Sequence, residues 1–253
     1  VGGIARRATV IDRERDYAEY TLVLDAGDAL LSDKDPAKIT RGESSVALMN
    51  AIGYDAVTLG LKDVTFLSLE ELRQRIEQAE FPMLSANVYV GDSEELLAEP
   101  YVVLDVADHK VGILGLTDTG NGPNVTVTDP LEAAREWVPK VQQEADIVIV
   151  LSHAGLETDQ QIAANVAGID AIVSGGDVTS SQPIVVASTG TVLFHAATSR
   201  PGYAGEQIGL GRLSFSKDGQ LTDHEWQRII LDSAFDDDPK VAALVEEYKA
   251  LAE

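Results

Sequence analysis

Apolar runs that alternate with amphipathic stretches predict a mixed α/β protein. Three observations carry that reading. Short runs rich in Val, Ile and Leu, such as Asp146–Leu151 (DIVIVL), have the form of strands buried on both faces. Stretches with apolar residues at helical spacing separate them. The last third holds several strand-like runs and a hairpin turn at Lys217-Asp218-Gly219, so a largely parallel sheet joined to a second, antiparallel one is expected.

In chain order, a helical pattern opens directly after Gly2-Gly3. Thr21–Asp25 (TLVLD) is short and β-rich and runs into Ala26-Gly27-Asp28, as a buried strand feeding a loop does. Glu43–Ile52 has helical spacing, and Ala56–Leu59 reads as a strand punctuated by Gly60. Leu67–Ala79 is charged and leucine-spaced, the pattern of a surface helix, and Met83–Val88 is a strand. Tyr101–Val106 and Lys110–Leu116 flank a hairpin turn at Asp108-His109. Asp129 is placed to cap a helix running through Gln143, with Pro130 in its first position. After Asp146–Leu151 come a helix at Gln160–Val166 and a strand at Ala171–Val173. Ile184–Ala187, Thr191–Ala196, Gln207–Phe215 and Leu221–Ile230 follow as strands. Pro239–Leu251 is a closing helix, with Asp236–Asp238 at its N-terminus, where the helix dipole favours negative charge. No repeat or low-complexity linker interrupts the pattern, so residues 1–253 read as a single domain.

Hydrophobic residues make up 45% of the 253, enough for a packed core. The 42 acidic side chains outnumber 19 Lys and Arg, for a formal net charge of −23. Without a basic stripe, that surface argues against nucleic acid or anionic lipid as a partner. It favours solubility, and leaves room for a protein partner with basic patches. With no Cys, these residues hold no disulfide, Cys-ligated zinc, iron–sulfur cluster or thiol nucleophile. No window nears about 18 uninterrupted apolar residues, so no membrane insertion is expected. The residues after Val1 show neither a basic nor an apolar leader region, as in a mature or trimmed chain.

In α/β folds, function sits on the loops that follow the carboxyl ends of strands. Here these are Ala26-Gly27-Asp28, Gly60–Asp63, Ser152-His153-Ala154-Gly155 and Ser174–Thr179. Asp28 and His153 are their prominent polar groups. If their strands are neighbours, a carboxylate oxygen and an imidazole nitrogen converge, as half of a divalent-metal site requires. Plainer roles suit the same residues: Asp28 as a turn or helix cap, His153 as a hydrogen-bonded strand end. His195 reads as a core or edge histidine, His109 and His224 as surface residues, and Trp137 and Trp226 as packing anchors. The glycines between Gly205 and Gly211 lack the strand–turn–helix context of a dinucleotide site.

Gly2-Gly3-Ile4-Ala5-Arg6-Arg7-Ala8-Thr9, followed by Leu24-Asp25-Ala26-Gly27-Asp28, resembles the opening of the 5′-nucleotidase family. Met49-Asn50-Ala51-Ile52-Gly53-Tyr54-Asp55-Ala56, Phe81-Pro82-Met83-Leu84-Ser85-Ala86-Asn87-Val88, Leu151-Ser152-His153-Ala154-Gly155 and Leu210-Gly211-Arg212-Leu213 continue it in order, over roughly residues 2–252. The resemblance implies a four-layer α-β-β-α sandwich of the metallo-dependent phosphatase type. It implies phosphoester hydrolysis at two divalent cations, which activate a water and neutralise the phosphate in flight. It also implies an extracytoplasmic location. The family's separate C-terminal domain, which grips the nucleoside, has no counterpart in these residues.

At the ligand positions the sequence departs from the family. Asp28 matches the bridging carboxylate, and His153 the His after Leu-Ser. The Asp-x-His motif that precedes the Gly-Gly segment lies beyond Val1. The Gly-Asn-His-Glu loop reads Gly60-Leu61-Lys62-Asp63. Leu61 thus replaces a metal-binding Asn, and Lys62 the His that stabilises the phosphate's transition-state charge. Thr65 stands where the family has an Asp that orients that His. The Gly-His-x-His loop reads Gly175-Gly176-Asp177-Val178-Thr179, without either His.

Even outer-shell losses cost ~10- to 100-fold in affinity or activity, and direct ligands weigh more. The expectation is a fold that has lost dinuclear catalysis and serves binding or scaffolding. Asp28, Lys62, Asp63, His153 and Asp177 then form a vestigial site, with no cofactor. The alternative is an active phosphoester hydrolase with an altered centre. One divalent ion (Mn, Zn, Mg or Ca) would sit on Asp28 and His153, helped by Asp177 or upstream residues, with a small phosphoester as substrate. Asp177 also suits the end of a Gly-rich turn. Lys62 has two readings, an ammonium paired with Asp28 in place of lost metal charge, or a side chain extended into solvent.

Overall fold

Two sheets stack through apolar side chains, and each carries helices on its outer face. The computed structural model of the protein describes residues 2–176, 182–196 and 205–251. Helix α1 (Ile4–Tyr17) leads to β1 (Leu24–Asp25), α2 (Glu43–Ile52), β2 (Ala56–Thr58), α3 (Leu61–Phe66) and α4 (Leu69–Gln78). Next come β3 (Met83–Leu84), β4 (Val88–Val90), β5 (Tyr101–Val106), β6 (His109–Thr117), β7 (Gly120–Gly122), β8 (Val125–Val127) and α5 (Pro130–Val141). Then follow β9 (Ile147–His153), α6 (Leu156–Asn165), β10 (Ala171–Ser174), β11 (Ile184–Val185) and β12 (Val192–Phe194). The hairpin β13 (Gln207–Phe215) and β14 (Leu221–Ile230) precedes α7 (Pro239–Ala250).

The smaller core sheet is parallel, in the order β1-β2-β3. The larger runs β11-β12-β10-β9-β6-β5, parallel from β12 to β6 with antiparallel edges. Strands covered on both faces need apolar residues throughout, and β9 supplies them. Its Ile149 and Leu151 meet Leu84, Val111 and Ile113 between the sheets. Its Val150 joins Leu114, Leu116 and Ile172 against Ala134 and Val138 of α5 and Ile162 of α6. Beyond the small sheet, Val57, Met83 and the adjoining Leu59 pack on Ile11 of α1, Val46 and Met49 of α2, Leu72 of α4 and Val241 of α7. Alternation along each strand thus builds the four-layer α-β-β-α sandwich.

Several elements differ from expectation. The β-rich end divides: β11 and β12 join the large sheet beside β10, while β13 and β14 form the separate antiparallel sheet, of two strands. Thr21–Asp25 pairs as a strand only at Leu24–Asp25, because the Asp55 carboxylate takes the Val23 N–H at 2.7 Å. Leu67–Ala79 holds the expected surface helix as α4, and α3 just before it had no counterpart in the sequence pattern. Ser68 accepts from Glu71 N while the Glu71 carboxylate accepts from Ser68 N, and this capping box starts α4 afresh after α3. Met83–Val88 splits into β3 and β4, since Ser85 and Asn87 turn inward to bond Thr117. Gly120–Gly122 is β7 of the small sheet β4-β8-β7. Asp129 and Asp238 do cap α5 and α7, accepting from Leu131 N and Glu132 N and from Val241 N.

Candidate functional site

Three loops at the carboxyl ends of strands meet at one point. β1 delivers Ala26-Gly27-Asp28, β2 delivers Gly60 and the start of α3, and β9 ends in His153. Glycines permit the approach. A Cβ on Gly60 would lie 2.2 Å from Asp28 N, and one on Gly175 would lie 2.4 Å from Ala26 O. Asp28 itself has φ 58°, in the left-handed region that Asp and Asn enter more readily than other side chains.

The Asp28 carboxylate is fully engaged. Oδ1 accepts from Lys62 N at 2.8 Å. Oδ2 lies 2.9 Å from Lys62 Nζ and 3.1 Å from His153 Nε2. Of the two readings open to Lys62, the structure takes the ion pair. Burial raises the Asp28 carboxyl, but hydrogen bonds and charge from His153 and Lys62 outweigh it and hold it at about 2. Lys62 is raised in turn by its hydrogen bond to Asp28 and the charge there. Burial lowers His153, and contacts with Asp28 and Ala26 more than offset this, so it too is raised. His153 Nδ1 lies 2.6 Å from the Ala26 carbonyl, which only accepts, so Nδ1 carries a proton. Nε2 faces a carboxylate, which also only accepts. Both contacts therefore favour the protonated ring, in line with its raised value.

Among the described residues, the remaining candidates do not turn donors towards this point. Asp63 is buried, and its Oδ2 accepts from Asp28 N at 3.1 Å and Gly60 N at 2.9 Å, its Oδ1 from Leu30 N at 3.2 Å. Burial pushes its carboxyl up to about 7, against those amides. Asp63 is thus a buttress behind Asp28. Leu61 packs against Gly120 of β7 and joins the core beside Val64. Thr65 Oγ1 donates to Leu61 O at 2.8 Å within α3. Asp177, with Val178 and Thr179, lies outside the described residues. His195 is buried just after β12, while His109 and His224, expected at the surface, are half-buried in β6 and β14. Trp226 stacks on Phe194 with ring centroids 5.1 Å apart and Trp137 packs on Tyr101, both as anchors.

Divalent cations need donors with free lone pairs. Leu61 has none, Lys62 is itself a cation, and the His153 nitrogens are turned to Ala26 O and the Asp28 carboxylate. Among the described residues, no group of three or more His, Cys, Asp or Glu side chains is arranged to hold a metal ion. The donor set among the described residues does not fit a two-metal centre.

Two neighbouring groups escaped the sequence reading. Asp159 of α6 is buried and accepts from Ser152 Oγ at 2.5 Å and from Ser174 Oγ. Its only signal was an acidic residue early in a helix. Arg7 donates to Tyr54 Oη at 3.0 Å, and its charge acts on Asp25, whose Oδ1 accepts from Gly27 N at 3.1 Å. The signal there was a cation four residues before Ile11, on the inward side of α1.

Stacked sheets flanked by helices, with Asp28, Gly60 and His153 gathered on loops at one end, define a metallophosphoesterase-type domain. No family model matches the chain. Individual relatives do. The probable 5′-nucleotidase of Treponema pallidum is 35% identical over 185 residues, 69% of this chain and 31% of that protein. The 5′-nucleotidase of Bos taurus is 29% identical over 273 aligned residues, 98% of this chain and 47% of that one. The crystal structure of a 5′-nucleotidase precursor from Thermus thermophilus superposes with a TM-score of 0.87 at 26% identity, covering 100% of this chain and 54% of that chain. The chain belongs to the 5′-nucleotidase family, and it spans about half the length of the bovine relative.

Proposed function

We propose that this domain keeps the family's fold as a binding or scaffolding unit and no longer hydrolyses phosphoesters at two metals. The observation that carries the reading is the 2.9 Å contact between Lys62 Nζ and Asp28 Oδ2, which puts an ammonium on the carboxylate that would bridge the cations. A tethered ammonium neutralises charge. It supplies no Lewis acidity and ionises no bound water. Leu61, packed against the core, offers no lone pair, and His153 is turned to Asp28 and Ala26 O at the same point. The net charge of −23 favours a protein over nucleic acid or anionic lipid as partner. The family's habit of export supports a location outside the cytoplasm; among the described residues no helix is long and apolar enough to cross a membrane.

The test is hydrolysis of 5′-AMP and of an aryl phosphate with Mn²⁺ or Co²⁺, with metal analysis alongside. Turnover at the level of a protein-free blank, equal in wild type and Asp28→Ala, is expected. Metal-dependent turnover that disappears in Asp28→Ala overturns the proposal, and makes the chain a phosphoester hydrolase with its metal on Asp28 and His153.

A further inference from the structure

Behind His153 lies a second buried carboxyl group. Asp159 sits in the first turn of α6 with its side chain out of solvent. Its Oδ1 is bonded to Ser152 Oγ at 2.5 Å and its Oδ2 to Ser174 Oγ. Ser152 immediately precedes His153, and Ser174 immediately precedes Gly175. The two serines are also register partners across β9 and β10. One side chain therefore spans two neighbouring strand ends at the residues from which two site loops depart. Those loops touch. Gly175 N donates to Ser152 O at 2.6 Å, and a Cβ on Gly175 would come within 2.8 Å of His153 Nδ1. Ser152 Oγ also accepts from Ala154 N at 3.2 Å, so the serine grips both sides of His153.

Both partners of Asp159 are neutral hydroxyls. A neutral carboxyl satisfies them: its O–H donates to one serine while its other oxygen accepts from the second. An ionised carboxyl accepts from both, but leaves a charge in an apolar layer with no cation bonded to it. The charges that act on it are His153, which favours ionisation, and Asp118 after β6, which opposes it. α5 brings Ala133, Ala134 and Val138 to this layer and β10 brings Ile172, none of which titrates.

We propose that Asp159 is a proton-sensitive clasp. Neutral, it ties the ends of β9 and β10 and holds His153 and Gly175 against the Ala26–Asp28 loop; ionised, its buried charge draws in water and the two strand ends loosen. Burial pushes this carboxyl up to about 7, so the changeover falls near neutral pH. The inference stands whether or not the site turns over phosphoesters.

The test is backbone hydrogen exchange at Gly175 and Ala154, on the whole chain, from about pH 5.5 to about 8.5, corrected for intrinsic exchange. Wild-type protection is expected to fall several-fold as pH rises. Asp159→Asn, a neutral mimic of the protonated acid, is expected to keep higher protection than wild type at the upper end of the range, with a smaller pH dependence. Ser174→Ala removes one tie and is expected to lower protection at Gly175 at every pH. Flat wild-type protection overturns the proposal, as does an Asp159→Asn variant that tracks the wild-type pH dependence. If Asp159→Asn does not fold, unchanged protection at Gly175 in Ser174→Ala overturns it as well.

Discussion

Replacing Asp28 with Asn removes a charge and little else. Asn has nearly the same shape, tolerates the φ of 58°, and its Oδ1 still accepts from Lys62 N. What disappears is the attraction of Lys62 Nζ at 2.9 Å and His153 Nε2 at 3.1 Å. Linkage sets the size of the effect. The carboxyl is held at about 2 rather than 3.8. Each unit of that depression is worth ~1.4 kcal/mol, so the ionised group contributes roughly 2 kcal/mol of stability. The Asp28 side chain is only 16% exposed, so solvent screens little of it. Because the folded value is depressed, the contribution is present above 3.8 and is lost as pH falls through about 2. Asp28→Asn should lower Tm near neutral pH by roughly 4–8 °C, with the gap narrowing in acid. Scanning calorimetry without added metal, from about pH 3 to about 7, measures it. A variant as stable as wild type near neutral pH, or more stable, refutes the reasoning. That is the behaviour of a carboxylate reserved for cations, whose unpaired charge opposes folding.

Other outcomes follow from the same geometry. Gly60→Ala puts a methyl group 2.2 Å from Asp28 N and should cost ~3 kcal/mol or more in denaturant unfolding; a wild-type midpoint would contradict the close packing. Leu61→Asn should cost about 1–2 kcal/mol of packing and bring no Mn²⁺-dependent hydrolysis by itself, because Lys62 still covers Asp28; metal-dependent turnover in that single variant would show otherwise. Stability should fall as pH rises from about 5 to about 8. Asp63 and Asp159, each raised to about 7, hold protons in the native state that the unfolded chain has released. His153, raised above 6.5, adds stability below that value that is lost as pH climbs through its folded value. Urea midpoints that increase over the same range would count against these burials.

The fold was legible where local pattern and tertiary setting ask for the same residues. The run Ile147–Leu151 can only be a covered strand, and Asp129-Pro130 can only open a helix well. Reading failed where side chains take over backbone pairing. The Asp55 carboxylate ends the ladder at Val23, and Ser85 and Asn87 turn to Thr117 and divide Met83–Val88. At the site, Asp28, Lys62 and His153 were legible because they follow strands, and Lys62 stands out against the family's loop. The role of Asp63 was not. Its carboxylate meets Asp28 N and Leu30 N, 35 and 33 residues away in sequence, and that bond exists only once the loops have closed. Asp159 was hidden for the same reason, since Ser152 and Ser174 become its partners only through sheet pairing.

Gly27, Gly60 and Gly175 leave no space for a methyl group between the backbones they join. Asp28 is consequently walled in by main chain on the protein side, and the way in from bulk water passes Lys62, whose side chain is 65% exposed. A visiting cation has to evict an ammonium before it reaches an oxygen. A visiting anion meets the Lys62 ammonium first. The entrance thus greets newcomers with positive charge, on a molecule whose surface as a whole, at −23, repels what that entrance would attract.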